Sequence, residues 1–170
     1  MKKRKSPRFP GFDYSTPGAY HISISTKDRV RWLAFNAEDG LALTEIGIAV
    51  ANSWRSLEQA TPNAVPDYFA VMPDHFHGIV QINLPYLPGF DPGIRADLRN
   101  VMRCFKQYTQ HLARKLLMDR GEWQEGTRIW QSSFYDNMIR DEKHLYLARK
   151  YVLENELAWR LERKRKLNMK

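Results

Sequence analysis

The chain has 170 residues, with 43% hydrophobic and 12% aromatic content, which suits one domain with a real core and excludes a disordered chain. No apolar run approaches the roughly 18 residues of a membrane span, no signal-peptide pattern opens the chain, and the lone Cys104 excludes an internal disulfide or a thiolate zinc cluster. A cytoplasmic protein without a membrane role is expected. The net charge of +8 sits at the ends: residues 1–8 hold Lys2, Lys3, Arg4, Lys5 and Arg8, and residues 160–170 hold six cations, including Lys164 and Arg165, against Glu162. Basic arms on a near-neutral body point to an extended polyanion whose backbone they can follow, or else to solubilising tails.

Residues 1–18, with Pro7, Pro10 and Pro17, read as an irregular arm. Tyr20 to Thr26 alternates apolar and polar, which predicts a half-buried strand. Leu43 to about Glu58 has helical periodicity, with Ile46, Val50, Trp54 and Leu57 on one face and Thr44 as N-cap. Strands follow over 65–72 and 75–83, joined by a turn at Pro73-Asp74, and Pro85 to Gly93 is a loop. From Ile94 to Met118 a helix carries an apolar stripe of Leu98, Val101, Met102, Phe105, Leu112 and Leu116. Beside the stripe runs a basic ridge of Arg95, Arg99, Arg103, Lys106 and Arg114, suited to phosphates or simply solvated. Ile129 to Ile139 reads as a fourth strand, and Asp141 caps a last helix that carries Tyr151 and runs into the basic tail.

The order strand–helix–strand–strand–helix–strand–helix is that of an α+β, ferredoxin-like split βαβ sheet with an added C-terminal helix bearing the tyrosine. In that topology the first and third strands are central neighbours, two helices cover one sheet face, and the other face is free for a site. The expected organisation is a basic arm over 1–18, one domain over 19–160 and a basic tail over 161–170.

Within the third strand, His75-Phe76-His77 puts both histidines on one face and Phe76 on the other, the imidazoles about 7 Å apart along the backbone. Two such imidazoles can converge on a metal ion. Tyr151 and Asn155, four apart, share a helix face. Brought to the His pair they form a coherent nuclease constellation: His75, His77 and Asn155 on a divalent metal and Tyr151 as nucleophile toward phosphorus. A tyrosine in an amphipathic helix is, taken alone, more ordinarily a core residue. Two imidazoles and an amide oxygen suit Mg²⁺ or Mn²⁺, with imidazole leaning toward Mn²⁺. Zinc hydrolases usually place further ligands close behind a His-x-His, and Gly78-Ile79-Val80 supplies none. His21 and His144 are the spare ligand candidates, with structural or DNA-facing roles as their alternatives.

Val71 to Val80 resembles the HUH motif (His, bulky apolar, His) of single-strand DNA endonucleases. Together with Ile46-Gly47-Ile48-Ala49, Trp54, Phe105-Lys106, Ile129-Trp130-Gln131, Tyr135, Ile139-Arg140 and Tyr151-Val152-x-x-Asn155, it is similar to the IS200-like, REP-associated tyrosine transposases over residues 20 to 160. The resemblance implies Tyr151 as nucleophile, His75 and His77 as metal ligands, and Asn155 as third ligand or metal-proximal group. It also implies single-stranded or hairpin DNA, such as REP-like palindromes, as substrate, in a bacterial cytoplasm at the nucleoid. One departure is Glu156, where the family often has proline. The expected activity is a metal-dependent endonuclease and strand transferase acting through a covalent phosphotyrosine. Its rivals are an inactive protein that only binds structured DNA and a hydrolase of small phosphate esters. Monomer and homodimer both stay open.

Overall fold

The computed structural model describes residues 13–38, 40–83 and 96–168, with side chains at 160 and 162–168 outside the description. Lys3, Arg4 and Arg95, and the side chains of Lys164 and Arg165, therefore lie outside the described residues. The strands are β1 (Gly18–Ser25), β2 (Ala34–Ala37), β3 (Gly40–Leu43), β4 (Ala64–Val71), β5 (His75–Ile82) and β6 (Tyr135–Ile139). The helices are α1 (Glu45–Arg55), α2 (Leu57–Ala60), α3 (Leu98–Asp119) and α4 (Glu142–Asn168). None of these helices is long and apolar enough to cross a membrane.

Strands β4, β5, β1 and β6 form one antiparallel sheet in that order, the split βαβ arrangement with β1 and β5 central. Period two divides the sheet into two faces. Tyr20, Ile22 and Ile24 of β1 and Phe76, Val80 and Ile82 of β5 join Trp54 of α1 and Leu98, Val101, Met102 and Phe105 of α3 in the main core. Trp54, fully buried, stands edge-on to Phe76 and Phe105, with ring centroids 5.0 and 5.3 Å away. Gly78 leaves it room: a Cβ there would lie 2.6 Å from the Trp54 ring and 2.8 Å from Phe76. The opposite face carries a smaller cluster in which Ile79 and Ile139 meet Leu145, Ala148 and Val152 of α4. The sequence leads one to expect this face free, but α4 lies across it and brings the tyrosine with it.

The caps follow the sequence. Thr44 accepts the Gly47 N–H with its hydroxyl at α1, Asp97 accepts from Arg99 and Asn100 at α3, and Asp141 accepts from His144 at α4. On α3, Ala113 and Leu117 are buried while Leu112 and Leu116 flank them at half burial. Several boundaries differ from expectation: α3 starts at Leu98, capped by Asp97, rather than at Ile94, and the helix expected to about Glu58 ends at Arg55 and is followed by the short α2. The hairpin β2–β3 lies where the sequence pattern marks no element. The fourth strand is only Tyr135–Ile139, and Trp130 makes a single bridge to Thr26. Upstream of it, side chains of α3 replace the ladder: Gln110 accepts the Ile129 N–H, and the Lys106 ammonium reaches the carbonyls of Gln131 and Ser132. Finally, α4 continues through Asn168, so the backbone of 161–168 extends the helix.

Candidate active site

The site is built at the β4–β5 turn. The Asp74 carbonyl accepts the Thr26 N–H at 2.9 Å, and the Thr26 hydroxyl lies at the same distance, while Pro73 accepts the Leu33 N–H. The backbone that delivers His75 is thus pinned from two neighbouring segments. The Asp74 carboxylate sits 2.6 Å from His75 Nδ1. A carboxylate can only accept, so Nδ1 carries the proton, which in the neutral ring leaves the Nε2 lone pair for a ligand. Arg29 stands 3.6 Å from Asp74, and the turn that presents it holds Asp28 and Arg29 at φ of 54° and 58°. Such left-handed conformations cost of order 1 kcal/mol for non-glycine residues and gather at functional sites.

His77 projects from the same face and is 6% exposed. Its ring stands nearly perpendicular to His75, centroids 4.9 Å apart. Burial, then His75, His21 and Arg29, push its pKa down to about 3, so the ring is neutral near pH 7. His21 of β1 stacks on it at 5.4 Å and 18°, and burial likewise lowers its pKa. Nδ1 of His77 and Nε2 of His21 are buried with no hydrogen-bond partner. Tyr151 of α4 closes the group edge-on, 5.3 Å from His77 and 5.6 Å from His21, and is 52% exposed. Asn155 and Trp159 follow at one-turn intervals on the same helix face. Together with Arg29, Asp74, His75 and Tyr151 they line an open cleft of about 430 Å³.

The donor set fits a divalent cation. His75 has a ring nitrogen freed by Asp74, His77 is a neutral imidazole with an unpartnered ring nitrogen, and Asn155 adds an amide in the same cleft. Among the described residues no three His, Cys, Asp or Glu side chains assemble into a metal cluster. Asn155 offers an amide in the cleft, and Glu154 lines it as well. His144 lies elsewhere, at the start of α4, where its Nδ1 accepts the Arg140 N–H and its Nε2 is 3.4 Å from Asn137. Glu156 turns away from the cleft and accepts the Leu41 N–H at 3.1 Å, tying the β2–β3 hairpin to α4.

The basic ridge forms a second and larger hollow, about 650 Å³, lined by Arg99, Arg103, Lys106, Arg128, Trp130 and Phe134. Its cations are partly engaged: Arg99 pairs with Asp97 at 2.8 Å, Arg103 holds Asn100 at 2.6 Å, and Lys106 clamps the 131–132 segment. The two hollows flank the same end of β1. Thr26 pairs with Trp130, a wall of the basic hollow, and also holds the Asp74 carbonyl. Size does not mark the chemistry here, because the larger hollow holds no nucleophile–imidazole group.

No family model matches the sequence. A Haemophilus influenzae protein of uncharacterised function is 28% identical, aligned over 92% of this chain and 89% of its own length. Among solved structures, a REP-associated tyrosine transposase bound to a REP hairpin superposes with a TM-score of 0.57 and 19% identity, covering 93% of this chain and 74% of the other. A candidate transposase from Deinococcus radiodurans gives 0.51 and 15%, covering 88% and 98%. The chain has the fold of these transposases.

Proposed function

We propose that this protein is a metal-dependent, single-tyrosine DNA endonuclease and strand transferase acting on single-stranded or hairpin DNA. The observation that carries the reading is the packing of Tyr151 against the rings of His77 and His21, with His75 beside His77 and lining the same open cleft as Tyr151. In the proposed reaction the Tyr151 oxygen forms a bond to a phosphodiester phosphorus as the bond from phosphorus to one deoxyribose oxygen breaks. The tyrosyl proton leaves to water in the cleft, and the departing deoxyribose oxygen takes up a proton. A second DNA hydroxyl then reverses the step, restoring tyrosine and joining a new end without ATP. His75, His77 and Asn155 would hold Mg²⁺ or Mn²⁺, which withdraws charge from a phosphoryl oxygen. Asp74 sets the tautomer of His75, and His21 backs the ring of His77. The basic hollow and the terminal arms supply phosphate contacts, and a DNA substrate would place the protein in the bacterial cytoplasm, at the nucleoid.

The test is cleavage of labelled single-stranded DNA from the gene's own flanks, with Mn²⁺ and with excess chelator. Cleavage with a covalent, denaturant-stable adduct that chelator abolishes is expected. Binding of hairpin DNA with no adduct under any metal condition would leave a structured-DNA-binding protein on the same fold.

A further inference from the structure

Trp159 stands two helical turns beyond Tyr151 on the face of α4 that lines the cleft, and nothing in the proposed chemistry uses it. Its indole N–H is buried without a hydrogen-bond partner, which is unusual for tryptophan. The ring instead neighbours His75 of the cleft and Arg31 beside it. The guanidinium of exposed Arg31 lies 5.7 Å from its centroid, and the His75 ring lies 6.1 Å away at 52°. A π surface two turns from the nucleophile, with Arg31 beside it and Arg29 lining the same cleft, combines base stacking with phosphate contact. An aromatic that served only to seat α4 would need neither cation, and α4 is already seated by Leu145, Ala148, Val152 and the Arg149–Asp67 pair.

We infer that Trp159 and Arg31 form a subsite for one unpaired nucleotide next to the scissile phosphodiester, Trp159 stacking on the base and Arg31 taking the adjoining phosphate. The subsite rests on the proposed DNA cleavage and names which part of the DNA the cleft grips. It makes α4 both the carrier of the nucleophile and the gauge that sets where along the strand the nucleophile falls. Unpaired DNA is required, because a base stacked inside a duplex cannot also stack on the indole.

The test uses the full-length Tyr151→Phe protein, so that DNA stays intact, and a hairpin oligonucleotide with unpaired extensions from the gene's flanks. A companion set carries a single abasic residue at each unpaired position in turn. One abasic position is expected to weaken binding about tenfold, within the roughly 5- to 150-fold worth of a base–aromatic stack. With Trp159→Ala added, intact DNA should bind at that weaker level and the abasic position should lose its effect, while Trp159→Phe should keep most of it. Arg31→Ala, on an exposed side chain, serves where Trp159→Ala fails to fold. It should remove the sensitivity to an uncharged methylphosphonate at the same nucleotide while leaving the abasic effect in place. Abasic profiles that are identical with and without Trp159, or an unchanged methylphosphonate effect in Arg31→Ala, would overturn the subsite. Adduct formation by the unmutated protein is scored separately: adduct with unchanged profiles refutes the subsite alone, and changed profiles without adduct refute the cleavage reading alone.

Discussion

Replacing Asp74 with asparagine isolates one contact of the proposed metal centre. The turn itself should survive, because Thr26 and Leu33 hold the carbonyls of Asp74 and Pro73 rather than the carboxylate. What changes is the 2.6 Å bond to His75 Nδ1. Both side chains are only 15% exposed, so this bond is poorly screened. An amide presents either a neutral acceptor or a donor, and the donor orientation would move the imidazole proton to Nε2, where the ligand should bind. Arg29, 3.6 Å from the lost carboxylate, would also keep an unbalanced positive charge beside the cation site. Losing such an outer partner typically costs about 10- to 100-fold in metal affinity, about 1.4–2.7 kcal/mol. The assay is adduct formation across a Mn²⁺ titration, with thermal unfolding as the control for fold. A midpoint shifted to about 10- to 100-fold higher Mn²⁺, at unchanged melting temperature, is expected. An unchanged midpoint would refute the assignment of Asp74 as the residue that sets His75.

Four further outcomes rest on the same geometry. Gly78→Ala should destabilise by about 1–3 kcal/mol in urea unfolding, since its Cβ would overlap the buried Trp54 and Phe76 rings. The metal-free protein should lose stability on acidification because His77, with its pKa near 3 in the fold, is released to 6.5 on unfolding. That stability is complete above pH 6.5 and falls as pH drops toward 3, by about 2 kcal/mol at about pH 5, and His77→Gln should remove this part of the slope. On the basic hollow, Arg103→Ala should lower the slope of log affinity against log salt by about 0.7–0.9 without affecting the fold. Lys106→Met should instead cost about 1–2 kcal/mol of stability by releasing the 131–132 carbonyls.

The central sheet was legible because each of its main elements carries an unambiguous period. Tyr20–Ile22–Ile24 and Phe76–Gly78–Val80–Ile82 alternate, and the stripes of α1 and α3 repeat at helical spacing. The hairpin β2–β3 was not, since two four-residue strands of mixed burial show too little alternation; the Asp39-Gly40 pair is its one local signal. The fourth strand was read too long because Ile129, Trp130 and Phe134 look like strand residues. They are buried through contacts with α3, which no local pattern encodes. Within the site, period two placed His75 and His77 together and helical spacing placed Asn155 beside Tyr151. The topology puts His21 on the strand beside the His pair, while its stacking on His77 and contact with Tyr151 depend on the register in which His21 faces Ile79, a tertiary property. Trp159 continues the Tyr151–Asn155 spacing by one more turn, but a tryptophan on a helix face does not by itself mark a site. Glu156, a departure from the resembled family, is one residue past Asn155 and so rotated about 100° off that face, where it secures the hairpin.

The most direct test of the account is to find which atom holds the DNA. Trypsin cuts after Lys150 and Arg160, so the peptide Tyr151–Arg160 carries one tyrosine. Mass spectrometry of the digested, nuclease-trimmed adduct should find the nucleotide mass on that peptide, at Tyr151. A nucleotide on the Tyr146 or Tyr108 peptide, or cleavage with no peptide modified, would contradict it.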